Sequence, residues 1–123
     1  MDGTAAHAPI IAAAIEAAAR RAPELPALIV DGQAVSYAAL ARQLRALAAQ
    51  FSRAGLAPGD TVGITLADER ANILTALALI RLGCRQVALP PRDPAPLRED
   101  LARRLGLAAV VGMGPKDALG GAA

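Results

Sequence analysis

The chain has 123 residues and a net charge of +2, which suits one domain with a single buried core. Apolar residues make up 54% of it and aromatic residues only 2%, so the core must come from Leu, Ile, Val and Ala. Without aromatic platforms or a Lys/Arg run, nothing supports nucleic-acid binding, and the lone Cys84 allows neither an internal disulfide nor a cysteine metal cluster.

Residues 1–8 read as a flexible leader that includes His7, a tail residue with no metal partner in view. From Pro9 to about Ala22 the pattern is helical, with Ile11, Ile15, Ala18 and Ala22 on one face and Arg20 and Arg21 near the C-terminal end. Asp2 ahead of this segment and Glu16 within it make a poor signal peptide. No apolar run of about 18 residues escapes a charge, so a membrane span is not expected and the protein reads as cytoplasmic. Pro23 and Pro26 then stop the helix.

Asp31-Gly32, set between Leu28–Val30 and Ala34–Val35, signals a β-hairpin. Ser36 is placed to cap a long helix, although Ala39 stands where a capping box would carry Glu or Gln. Tyr37, Leu40, Leu44, Leu47 and Phe51 share one face of that helix, and Gly55 suits its end. Pro58-Gly59 marks a tight turn before a short apolar strand, Thr61–Leu66. Asp68 can cap a third helix reaching Leu82, apolar nearly all round and so buried on more than one side or awaiting a partner. A strand follows over Arg85–Leu89, then a Pro-rich loop. The i, i+4, i+8 spacing of Leu97, Leu101 and Leu105 marks a fourth helix. Leu107–Val111 is a last strand, and residues 112–123 read as a frayed tail. The expected fold is α/β: a mainly parallel sheet flanked by helices, preceded by an N-terminal helix and a β-hairpin.

The order of these signals from Ala27 to Val111 resembles the N-terminal subdomain of the adenylate-forming (AMP-binding) superfamily, which includes acyl-CoA synthetases, peptide-synthetase adenylation domains and aryl-acid AMP ligases. Ser36-Tyr37-Ala38-Ala39-Leu40 matches that family's Thr/Ser-Tyr-x-x-Leu helix start. Gly55-Leu56-Ala57-Pro58-Gly59-Asp60-Thr61-Val62 matches its Gly-Leu/Val-x-x-Gly-Asp-x-Val turn and strand. Arg81-Leu82-Gly83 and Val87-Ala88-Leu89-Pro90-Pro91 match its helix end and Val-Pro-Leu-like strand. The chain departs from the family where Ala67-Asp68-Glu69 replace a Pro-Asn-Ser-like segment. Arg-Leu-Gly followed by Ala-Leu-Pro is closer to the aryl-acid-activating members.

The resemblance implies residues 9–111 as the subdomain of an enzyme that uses ATP and Mg to turn a carboxylic acid into an acyl-AMP, then passes it to a thiol of CoA or a carrier protein. It implies the remainder of such an enzyme as partner, and no nucleic acid or membrane. The family's phosphate loop, its ribose-binding acid and its catalytic lysine have no counterpart here, so no catalytic, cofactor-binding or metal-ligating residue is assigned and the chain is expected to be inactive alone. Gly112-Met113-Gly114-Pro115-Lys116 imitates the end of a phosphate loop, but it lacks hydroxyls and Pro115 removes a donor, so it reads as solvated tail.

The remaining polar residues have structural readings. Asp68 and Glu69, and likewise Glu99 and Asp100, read as helix-start carboxylates; Arg98, Arg103 and Arg104 as a solvated face; Cys84 as a small buried hydrophobe. Two alternatives stand beside the ligase reading: a free-standing interaction or dimerisation module on the same scaffold, and an unrelated nucleotide-binding α/β domain.

Overall fold

A computed structural model describes residues 3–112, with side chains from Ile10 onward. The first helix, α1 (Gly3–Arg21), starts six residues before Pro9. Proline's fixed φ is helical and costs one backbone hydrogen bond, and the alanines on either side favour continuing the turn. Next comes an antiparallel hairpin of β1 (Pro26–Val30) and β2 (Gln33–Ser36), with Ile29 opposite Ala34 and Val30 opposite Gln33. Asp31 and Gly32 both have positive φ, 53° and 75°, the primed-turn geometry that the Asp-Gly pair predicts.

Ser36 ends β2 and caps α2 (Tyr37–Arg53), its Oγ accepting from the Ala39 N–H at 3.1 Å. The buried face of α2 carries Leu40, Leu44 and Phe51 as expected, together with Ala41 and Ala48, while Tyr37 and Leu47 are only half-buried. The chain then alternates β3 (Thr61–Ile64), α3 (Glu69–Leu82), β4 (Arg85–Ala88), α4 (Ala95–Leu105) and β5 (Ala109–Val111). All three of these strands are parallel, in the order β4-β3-β5. They are shorter than the apolar runs that announced them. Beyond Ile64 the backbone keeps only single bonds to its neighbours, Thr65 N–H to the Val111 carbonyl and Leu89 N–H to the Ile64 carbonyl.

Helix α3 packs on the sheet and also on α1 and α2, which explains why apolar residues run most of the way round it. Val62, Ile64, Ala109 and Val111 face a cluster built with Ala78, Leu79, Leu44, Phe51 and Leu56. Cys84 belongs to the same cluster, its thiol directed at the Ala57 carbonyl oxygen 3.4 Å away. Burial, with the nearby Asp60 carboxylate adding to it, pushes that thiol's pKa up. Such a thiol stays protonated and behaves as a small hydrophobe.

Candidate functional site

In open α/β sheets the ligand crevice forms where neighbouring strands send their connections to opposite sides. Here the chain steps from β3 to β4, then returns across β3 to reach β5, so that point lies at the carboxyl ends of β3 and β5. Thr65, Leu66, Asp68, Asn72, Arg98 and Gly112 gather there. Arg98 donates from Nη1 to Thr65 Oγ1 at 3.0 Å and from Nε to the Asp93 carbonyl at 2.9 Å. Asn72 Nδ2 donates to the Leu66 carbonyl, and Asp68 Oδ2 accepts from the Ala71 N–H at 2.8 Å as the cap of α3. Thr65 is 3% exposed. These hydrogen bonds brace the strand ends.

Arg98 therefore departs from the solvated face expected for it: it is half-buried and turned inward, while Arg103 and Arg104 lie exposed and pair with Asp100 at 3.2 and 2.8 Å. Glu99 and Asp100 also lie beyond the first turn of α4, because the helix begins at Ala95 behind Pro94 rather than next to the carboxylates. Asp68 holds the cap position read for it, and Ser36 likewise. The side chain of His7 and the segment Met113–Lys116 lie outside the described residues. Among the described residues no three His, Cys, Asp or Glu side chains converge to hold a metal ion. No catalytic step is assigned to these residues.

A second polar cluster joins the helices. Glu16 of α1 accepts from Arg45 of α2 (Nη1 at 2.6 and 2.8 Å from its two oxygens) and from Arg81 of α3 at 3.1 Å. It borders a small apolar hollow lined by Ile11, Ile15, Leu44 and Leu77. The hydrogen bond from Arg45 holds the Glu16 carboxyl below its ordinary pKa against an opposing desolvation effect, with the charges of Arg45, Arg81 and Arg20 adding to the lowering. A carboxylate with a depressed folded pKa stabilises the fold above its unfolded pKa and loses that contribution as pH falls through the folded value. Glu16→Gln should therefore lower the urea midpoint at pH 7 by an amount equivalent to about 0.5–1 kcal/mol, and the gap should close below about pH 4. A gap of equal size at pH 7 and pH 3 would remove the charge from the explanation.

The matched relatives place this scaffold. The profile of the AMP-binding enzyme family matches residues 15–120, and the chain belongs to that family. Pyochelin synthase PchD of Pseudomonas aeruginosa (strain UCBPP-PA14) is 48% identical over 80 residues, which cover 64% of this chain and 15% of that protein. The vibriobactin-specific 2,3-dihydroxybenzoate-AMP ligase of Vibrio cholerae is 35% identical over 85 residues, covering 68% of this chain and 16% of the ligase. The Klebsiella oxytoca NpsA N-terminal subdomain, solved with anthranilyl-AMSN, superposes with a TM-score of 0.74 at 26% identity, covering 91% of this chain and 29% of that one. The o-succinylbenzoate coenzyme A synthetase MenE of Bacillus subtilis, solved with AMP, gives 0.70 at 25% identity, covering 79% and 26%. The chain thus has the fold found in the N-terminal subdomain of an adenylate-forming enzyme, and it spans a small part of each relative's length. No helix among the described residues is long and apolar enough to cross a membrane.

Proposed function

We propose that residues 9–111 serve as the N-terminal part of an ATP-dependent ligase that activates a carboxylic acid as acyl-AMP and transfers it to a thiol of CoA or a carrier protein. The observation that carries this reading is the joint match of sequence profile and fold to adenylate-forming enzymes over most of the chain. An aryl acid is the favoured substrate class, in line with the dihydroxybenzoate ligase and the anthranilyl-bound NpsA among the similar proteins. ATP with Mg would be held by parts of such an enzyme that this chain does not contain, and the remainder of the enzyme would be its first partner. NpsA has been solved as an artificially fused adenylation–PCP di-domain, an arrangement compatible with a carrier as the thiol acceptor. The cytoplasm, where ATP is available, is the compartment proposed.

What the chain's own residues supply is structural: Ser36 and Asp68 set the helix starts, Arg98 ties α4 to β3, and Glu16 joins three helices. The purified chain is expected to show no ATP–pyrophosphate exchange with benzoate, salicylate or 2,3-dihydroxybenzoate. Exchange above the protein-free blank that depends on the carboxylate would overturn its inactivity alone. A non-catalytic association module is the second reading, favoured by the exposure of Leu97 and Leu105; a strict monomer in light scattering at high concentration would count against it.

A further inference from the structure

Helix α1 is held differently from α2 and α3. Among its described side chains, Ile10 to Arg21, none is buried. It packs on α2 and α3, and Ile15, itself half-buried, is the described apolar side chain through which it meets the core cluster. The hollow beneath it has a free volume of about 10 Å³, room for about one water molecule, so the contact is not tightly filled. The other anchor is ionic: Glu16 meets Arg45 and Arg81 at 2.6 and 3.1 Å. Few buried apolar contacts of this kind mark an element of low local stability.

The structure around α1 is fastened independently of it. The Pro23 carbonyl accepts from the Ala38 N–H at 3.1 Å and the Leu25 carbonyl from the Tyr37 N–H at 2.9 Å, so the chain leaving α1 is tied to the start of α2. Helices α2 and α3 are joined through Leu44, Phe51, Ala78 and Leu79 in the core, and Arg70 Nη2 donates to Gln43 Oε1 at 3.3 Å. The link Ala22-Pro23 is therefore a joint with one fixed side.

We infer that α1 is a hinged strap, which opens from α2 and α3 about Ala22-Pro23 while the rest of the domain stays folded, and that Glu16 is the latch that holds it shut. Opening bares Ala41, Leu44 and Leu77 on the floor of the hollow and leaves Arg45 and Arg81 without their carboxylate. The charges facing Glu16 are Arg45 from α2, Arg81 from α3 and Arg20 of α1 itself. All three stay cationic in acid, so protonating Glu16 removes the attraction and leaves like charges around the joint. The latch is complete above the ordinary carboxylate pKa and is lost as pH falls through the lowered value of Glu16. The inference stands apart from the ligase reading, and neither depends on the other.

The first test adds a thiol beneath the strap, Ala41→Cys, and takes the buried Cys84 as the reference for opening of the whole domain. Ala41 is 2% exposed, and the hollow it lines is too small to admit an aromatic disulfide reagent such as dithionitrobenzoate. With each rate divided by that of the same thiol in the urea-unfolded chain, position 41 should react about tenfold or more faster than Cys84 at neutral pH. Adding Glu16→Gln should quicken position 41 by about two- to fivefold. Equal corrected rates at the two thiols would mean that α1 leaves only when the domain unfolds, and would overturn the strap. Fast labelling at position 41 that Glu16→Gln leaves unchanged would overturn the latch.

The second test needs no new thiol. Undocked, a 19-residue helix is marginal in water, so opening lets its amides exchange. In the parent chain, amides from Ile11 to Arg21 should exchange about tenfold or more faster than those of Val62 and Leu79 after correction for intrinsic rates. Low urea should hasten the core amides and leave those of α1 nearly unchanged, because opening the strap exposes little surface. Between about pH 6 and about pH 3.5 the corrected protection of α1 should fall by about two- to fivefold in the parent chain and stay level in Glu16→Gln. Protection in α1 equal to that of the core, with the same urea slope, would overturn the strap whatever the thiols show.

Discussion

Phe51→Ala is expected to cost about 3–5 kcal/mol, a large share of the roughly 5–15 kcal/mol usual for a domain. Phe51 is the chain's only phenylalanine and is 1% exposed, one of the three largest fully buried side chains together with Leu79 and Val62. It sits in the last turn of α2, where its carbonyl also accepts from the Ala54 and Leu56 N–H groups, both at 3.1 Å. The backbone there is fixed by the helix end and cannot slide inward to close a hole. With little aromatic volume in the chain and many of its apolar positions filled by alanine, few neighbours are long enough to swing into the space. The cavity contribution should therefore fall near the upper end of the range for such truncations. Urea denaturation followed by circular dichroism reads the effect as a lower midpoint at unchanged slope. Ile29→Ala is the control: at 71% exposed, Ile29 removes little apolar surface from water, and its loss should stay within about 0.5 kcal/mol. A Phe51→Ala cost below about 1.5 kcal/mol would mean that the α2–sheet contact is not the main core.

Local chemistry made most of the architecture legible from the sequence. Asp31-Gly32 specifies its turn through backbone sterics, and Ser36 and Asp68 specify helix starts through bonds to residues three positions away. Signals of that kind are complete within a few residues. Glu16 and Arg98 are different, because their partners are remote: Glu16 meets Arg45 and Arg81, 29 and 65 positions on, and Arg98 meets Thr65, 33 positions back. Before the fold exists, Glu16 reads only as an interruption of an apolar stretch, and Arg98 only as one charge among several on α4. The leucine spacing of α4 was sufficient to announce a helix with a face. It carried no information on whether that face was covered, since periodicity reports a direction and not an occupant. The start of α1 was misplaced for a related reason: Pro9 fits a first turn, but nothing local forbade the helix from running back to Gly3.

Gly112→Val should destabilise the chain by about 2–5 kcal/mol, combining backbone strain with overpacking. Gly112 follows β5 with φ +91°, a conformation that β-branched residues essentially do not adopt. A Cβ at this position would lie 2.8 Å from the Thr65 carbonyl oxygen and would also strike the Leu66 side chain. The carbonyl belongs to the backbone leaving β3 and cannot rotate away as a side chain would. Relief then requires β5 to move away from β3 at its carboxyl end, stretching the 3.0 Å bond from the Thr65 N–H to the Val111 carbonyl and loosening the Thr65 hydroxyl that receives Arg98. Gly106→Val separates the two causes, because Gly106 also has positive φ, +66°, but a Cβ there would meet nothing within 4 Å. It should cost only the strain, about 1–3 kcal/mol. Amide exchange at Thr65 should quicken in the Gly112 variant and stay unchanged in the Gly106 variant once both are compared at equal distance from their urea midpoints. Equal costs for the two substitutions would reduce the Gly112 effect to φ alone. The close approach of the chain after β5 to Thr65 would then have no part in holding the carboxyl ends of β3 and β5 together.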